Sequence, residues 1–199
     1  MSEQKRKNLP GRNLFRAFVA AALIAVVISI VGGISAANAT SESKKLIVYY
    51  SWGGNTRYVA EQIQSLTGAD IFELKPVVPY PEDFNATAER GRRELDSGYR
   101  PPLAGRIDNL ADYDVIFIGS PNWFGTIAMP LFTFLESYDL SGKTIIPFIS
   151  HGRGGLAETL TDLKALCPNS TFLEEFAIYR REATQTDISR WLSRIGMLK

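Results

Sequence analysis

Short, continuous apolar runs alternate along this chain with stretches in which apolar residues recur every three or four positions. Leu46–Tyr50, Val115–Ile118 and Ile145–Ile149 are uninterrupted apolar runs, and Asp70–Leu74 and Phe172–Ile178 are weaker ones. Runs of this length without a polar alternation predict strands covered on both faces, as in a parallel sheet. Between them the spacing turns helical, at Val59, Ile63 and Leu66, at Leu131, Phe134 and Leu135 after Pro130, at Leu156, Leu160 and Leu163, and at Ile188, Trp191, Leu192 and Ile195. Gly68 is placed to stop the first of these helices. The alternation predicts an α/β fold, a doubly wound five-stranded parallel sheet with helices on both faces. Two features sit awkwardly in it. Pro147 falls inside a run that should be an internal strand, where it predicts a bulge or an early strand end. Residues 76–113 form a long connection, with a polar helix around Glu82–Leu95 and a loop over Gly98–Pro102.

The first forty residues follow another pattern. Lys5, Arg6, Lys7, Arg12 and Arg16 precede an uncharged stretch from Ala17 to Ser41, apolar to Val31, then Gly32–Gly33 and Ala37–Asn38–Ala39. A basic start, an apolar middle and an A-x-A end make up a secretory signal peptide, with cleavage expected after Ala39. The uncharged stretch is also long enough to serve as an uncleaved anchor, with membrane contact then made through residues 17–37. Either way residues 1–39 are an address, residues 40–199 are the domain, and the expected location is extracytoplasmic.

Charge and composition change the picture in one respect. The whole chain carries a net charge of +1, but five of its 22 basic residues and one of its 21 acidic residues lie in residues 1–39, so the remainder carries −3. That balance excludes a nucleic-acid partner read from charge. One cysteine, Cys167, excludes an internal disulfide framework and a Cys-rich metal site, and the single histidine excludes a multi-His centre. Cys167 ends an apolar helical pattern and reads as a small buried residue.

In an open parallel sheet, ligands bind at the carboxyl ends of the strands, which directs attention to three loops. The first, Ser51-Trp52-Gly53-Gly54-Asn55-Thr56, joins a strand to a helix start. Its glycines let the backbone approach an anion, its hydroxyls and amide can donate, and the helix N-terminus attracts negative charge, so it can hold a phosphate without lysine. A simple helix cap at Asn55 or Thr56 is the alternative. The second, Pro121-Asn122-Trp123-Phe124-Gly125, puts two aromatic rings where a planar ligand could stack; a buried aromatic plug is the alternative. The third is Ser150-His151-Gly152-Arg153-Gly154-Gly155, a glycine-rich wall with the single histidine. Its G-x-G-x-x-A spacing has the form of a dinucleotide fingerprint, but too little chain follows it to complete such a sheet.

These stretches resemble the flavodoxin-like family, and more narrowly a secreted bacterial flavodoxin-like group. The resemblance rests on Tyr50–Ala60, Tyr80–Phe84, Tyr113–Trp123, Phe134–Leu135, Ser141–Thr144 and Leu166–Pro168. It implies strand order 2-1-3-4-5 and non-covalent FMN. By position, Ser51 and Gly53–Thr56 would hold the phosphate. Pro121–Gly125, with Trp123 as the stacking ring, and Ser150–Gly155 would line the isoalloxazine. His151 stands where this group often has Thr or Ser. Three functions remain open at this stage: electron transfer with a redox partner protein or small acceptor, an FMN-dependent NAD(P)H oxidoreductase acting on quinones with Tyr80, Arg100 or His151 at the substrate, and a non-enzymatic domain that has lost the cofactor. Whether the chain is an enzyme is likewise open. The expected outcome for the N-terminal segment is direct: amino-terminal sequencing of the exported protein begins at Thr40, whereas an anchored protein retains residues 17–37 in the membrane fraction.

Overall fold

The computed structural model describes residues 43–198, so the signal-peptide or anchor segment lies outside the described residues. Strands β1 (Lys45–Tyr49), β2 (Asp70–Glu73), β3 (Val115–Trp123), β5 (Thr144–His151), β6 (Thr171–Phe172) and β7 (Phe176–Tyr179) form one parallel sheet, and β4 (Thr126–Ile127) folds back antiparallel on the end of β3. Helices α1 (Asn55–Thr67), α2 (Phe84–Ser97), α3 (Met129–Ser137), α4 (Thr159–Leu166) and α5 (Gln185–Arg194) connect and cover it. From β2 the order runs to β1, β3 and β5, with β6 and β7 both paired to β5 at the far edge. Counting β6 and β7 as one interrupted strand and β4 as a hairpin, this is the expected order 2-1-3-4-5.

The pleat explains why the strands read as continuous apolar runs. Leu46, Val48 and Tyr50 enter one core with Ile116, Ile118, Phe134, Leu135 and Leu163. Ile47 and Tyr49 point the other way, into a core with Val59, Ile63, Phe117, Phe148, Ile188 and Trp191. Successive residues of a strand face opposite sides, so a sheet covered on both needs apolar residues at every position. Helices α1 and α5 seal one face, α3 and α4 the other.

The expectation at Pro147 is corrected. Strand β5 runs straight through it, with Pro147 in register opposite Ile118 of β3. The Leu173 N–H donates to the Ile145 carbonyl (3.0 Å) and the Arg180 N–H to the His151 carbonyl (2.8 Å), so odd-numbered residues of β5 turn their backbone groups toward the edge. The donor that Pro147 lacks therefore faces the edge strand, where residues 173–175 interrupt the pairing between β6 and β7. The ladder to β3 loses nothing. The continuous strand expected over Phe172–Ile178 is corrected in the same way: it is two pieces. The gap is fastened to α5, where Trp191 Nε1–H donates to the Glu174 carbonyl (3.1 Å) and Arg194 pairs with the Glu174 carboxylate.

Gly119 lies in β3 between Tyr49 of β1 and Phe148 of β5. A Cβ there would stand 2.2 Å from the Phe148 ring and 2.8 Å from Tyr49 Cβ. Gly119→Ala is expected to lower stability by about 1–3 kcal/mol, read as a fall in the urea midpoint. Phe148→Leu in the same chain, by removing the obstructing ring, should restore part of the loss.

Candidate functional site

The loop after β1 carries the first part of the site. Gly54 is the N-cap of α1 and has a left-handed φ of +82°, a conformation in which a side chain would be strained. No side chain caps α1, as none caps α3 or α4, whereas Asp83 caps α2 and Thr184 and Asp187 form a capping box on α5. The first amides of α1 are thus left for something else. Thr56 and Ser150 are buried, and their hydroxyls share a hydrogen bond of 2.8 Å across the sheet end. One proton bridges the pair, and the second remains for another acceptor. Ser51 is 9% exposed, and its Oγ is buried without a hydrogen-bond partner. A buried hydroxyl in that state costs about 1–3 kcal/mol.

The second and third loops are fastened to each other. Asn122 Nδ2 donates to the Gly155 carbonyl (2.6 Å), its Oδ1 accepts from the Gly125 N–H (2.9 Å), and the Glu158 N–H donates to the Gly125 carbonyl (2.8 Å). Phe124, Gly125 and Ala157 all take positive φ in these turns. His151 Nδ1 lies 2.6 Å from the Gly152 carbonyl, which can only accept, so Nδ1 carries a proton there.

Behind the second loop stands an aromatic wall. The Trp123 ring meets Tyr80 edge-on at 4.9 Å and Tyr50 edge-on at 5.5 Å. Trp52 is turned by its indole N–H, which donates to the Pro81 carbonyl (2.7 Å), and packs beside Phe84. Tyr80 donates to the buried Glu94 carboxylate, which also accepts from Arg90 Nε (2.8 Å); the Arg90 guanidinium reaches the carbonyls of Pro79 and Val78 and lies over the Tyr80 ring. Burial raises the Tyr80 phenol well above its ordinary value, and the bond to Glu94 raises it further. Burial likewise raises Tyr50. Both phenols stay neutral in this wall.

A cleft of ≈ 240 Å³ opens at these strand ends, lined among others by Ser51, Trp52, Gly53, Asn55, Thr56, Pro121, Asn122, Trp123, Ser150, His151 and Gly152. A second lobe of ≈ 210 Å³ shares Trp52, Phe84, Asn122 and Trp123 and adds Thr87, Ala88 and Phe124. Eleven residues singled out in the sequence thus line the main cleft, and Phe124 lines the lobe. Gly54, Gly125 and Gly155 shape the loops instead, and Gly154 has open space around its Cα with no lining role. Trp123 combines both readings of its ring, since it packs against the tyrosines and also walls the cleft. Arg100, one of the substrate candidates, pairs with Glu136 away from the cleft lining, and Tyr80 stands behind Trp123. Sequence reading missed Phe84 and Arg180, both of which line the cleft. Phe84 was visible as an apolar residue at the start of an otherwise polar helix. Arg180 carried no local signal, because it reaches the cleft only through the pairing of β7 with β5. Among the described residues no cluster of metal-ligating side chains occurs.

Comparison with known proteins adds four findings. The flavodoxin family model matches residues 44–195. An "NAD(P)H dehydrogenase (quinone)" of Cupriavidus metallidurans is 32% identical over 124 residues, 60% of this chain, which spans only 57% of that relative's length. Among solved structures, a protein of Bacteroides eggerthii designated a flavoprotein superposes with a TM-score of 0.69 at 30% identity, covering 77% of this chain and 98% of that one. A flavoprotein of Lactobacillus acidophilus in complex with FMN superposes with a TM-score of 0.60 at 24% identity over 75% of this chain and 99% of that one, a likeness of fold.

The unpartnered hydroxyl yields a stability prediction. In the ligand-free protein Ser51→Ala should be neutral or stabilising by up to about 1 kcal/mol, because it removes a buried group that nothing satisfies. Urea unfolding without ligand measures this, and a loss of more than about 1 kcal/mol would mean that the hydroxyl already has a partner.

Proposed function

The chain belongs to the flavodoxin family, and on that premise we propose that it binds FMN non-covalently at the strand-end cleft and works as an electron-transfer flavoprotein. The observation that carries this reading is the partnerless Ser51 hydroxyl beside the uncapped N-terminus of α1, both at a cleft with the Thr56–Ser150 pair. That donor set suits a phosphate: backbone amides at a helix start, three hydroxyls and the Asn55 amide. The FMN complex of the Lactobacillus acidophilus flavoprotein supports the same assignment.

In this reading Ser51, Asn55, Thr56 and the first amides of α1 hold the phosphate. The Trp52 and Trp123 rings and the Pro121–Gly125 and Ser150–Gly152 loops line the ring system and exclude water from it. FMN, when bound, supplies reversible one- and two-electron chemistry. The chain's task is to fix the orientation, and the two loops joined through Asn122 do so with backbone groups that need no reorganisation. Phe84, 68% exposed, and Phe124, 40% exposed, leave an apolar rim where an acceptor can approach.

A small planar acceptor such as a quinone is the second reading. It is favoured by the name of the 32%-identical relative, by the apolar lobe next to the main cleft, and by a net charge of only −3 for residues 40–199, which gives little steering toward a basic protein partner. The proposal also places the domain outside the cytoplasm, exported or anchored by residues 1–39.

Titration of the purified protein with FMN is expected to quench flavin fluorescence with one-to-one stoichiometry. Gly53 has open space around it. Gly53→Asp should therefore abolish binding by repulsion while Gly53→Asn leaves most of it, and Ser51→Ala should weaken it about tenfold. Unquenched flavin would sink the proposal. Anaerobic NADPH added to the complex then separates the two readings: rapid bleaching supports the quinone reductase, and a flavin inert to nicotinamides supports transfer from another protein.

A further inference from the structure

Of the eleven arginines among the described residues, eight pair with a carboxylate. The three that do not, Arg153, Arg180 and Arg181, all follow the carboxyl ends of β5 and β7, which are aligned with His151 opposite Tyr179. Arg181 lies over the Tyr58 ring, 4.8 Å from its centroid. Of the three, Arg180 alone lines the main cleft, together with Ser51, Gly53, Asn55 and Thr56.

The backbone puts it there. Arg180 has φ +52°, in the left-handed region where a long side chain is uncommon. Its N–H donates to the His151 carbonyl (2.8 Å), and the Glu182 N–H closes the turn on the Tyr179 carbonyl (3.1 Å). The strand therefore stops level with the third loop, and the Arg180 guanidinium rests over the Tyr179 ring at 5.2 Å with no carboxylate to neutralise it. The phosphate loop's own cation is in the opposite state: Arg57 is bound to Glu73. Amide dipoles and hydroxyls carry no net charge, so the cleft as built from the first loop alone lacks a countercharge for a dianion. An unpaired guanidinium at its edge supplies one, and its fork matches two phosphate oxygens.

We propose that Arg180 is the cation that binds the ligand's phosphate, and that it makes the cleft select the phosphorylated flavin FMN over neutral riboflavin. The proposal rests on the FMN reading above and assigns the discrimination to a residue outside the phosphate loop.

The test compares FMN and riboflavin titrations, by fluorescence quenching, for the full-length wild-type protein, Arg180→Met, Arg180→Lys and Arg181→Met, at low and at raised salt. Thermal unfolding confirms that each variant is folded. The expected result is that wild type prefers FMN. Arg180→Met should lose FMN affinity by about tenfold to a hundredfold with riboflavin unchanged. Its FMN binding should also lose most of its salt dependence, with Arg180→Lys intermediate and Arg181→Met like wild type. Unchanged FMN affinity in Arg180→Met, a parallel loss of both flavins, or equal wild-type affinity for both would overturn the role of Arg180 and leave the FMN reading standing. A wild-type protein that binds neither flavin would overturn the FMN reading itself.

Discussion

The buried hydrogen bond between Thr56 and Ser150 joins the first turn of α1 to the end of β5, two segments 94 residues apart in the chain. A neutral pair of this kind adds only about 1 kcal/mol net, but separating its partners in a dry site costs about 1–3 kcal/mol for each group left unsatisfied. It therefore acts as a constraint on position more than as a source of stability. With the third loop held to the first, Asn122 then holds the second to the third through the Gly155 carbonyl. Three loops that would each be mobile alone are thereby set in one arrangement, and what remains unpaired in it, Ser51 Oγ and the amides of α1, defines the chemistry of the cleft.

Much of this was legible in the chain, and for a physical reason. Strands covered on both faces must be apolar at every position, so β1, the buried part of β3, and β5 stand out as runs. Loops at the strand ends must be glycine- and hydroxyl-rich to approach an anion, so the first loop stands out too. What the sequence hid was set by pairing between distant segments. The proline in β5 looked like a break because nothing local says which neighbour its missing donor faces; the neighbour, not β5, carries the interruption. Arg180 looked like one of two consecutive surface arginines until the register of β7 against β5 brought it to the cleft. Phe84 depends on how α2 docks, which no local pattern specifies. The segment 1–39, the clearest pattern of all, lies outside the described residues.

The wall formed by Trp123, Tyr50 and Tyr80 shows how the long connection after β2 serves the site. Helix α2 buries Glu94 against the Tyr80 hydroxyl and stacks Arg90 on the Tyr80 ring, so the ring is held at both its edge and its face. A buried carboxylate needs such pairing to be tolerated at all. Tyr80 in turn backs Trp123, and the helix approaches this wall closely at Gly91, where a Cβ would stand 3.3 Å from the Trp123 ring. The polar helix of the long connection thus backs the Trp123 side of the cleft.

The interrupted strand at the sheet's margin has a consequence for how these molecules behave in a crowd. A parallel sheet exposes a row of unpaired backbone groups on each outer strand, and long flat margins recruit further chains into fibres. Here one margin offers two residues, then a gap stitched to α5 through Glu174, then four more; the other offers the four residues of β2, with an acid at each end. Short margins of this kind disfavour pairing with an incoming strand. The same gap that spares Pro147 its missing donor thereby shortens the margin against which another strand could pair.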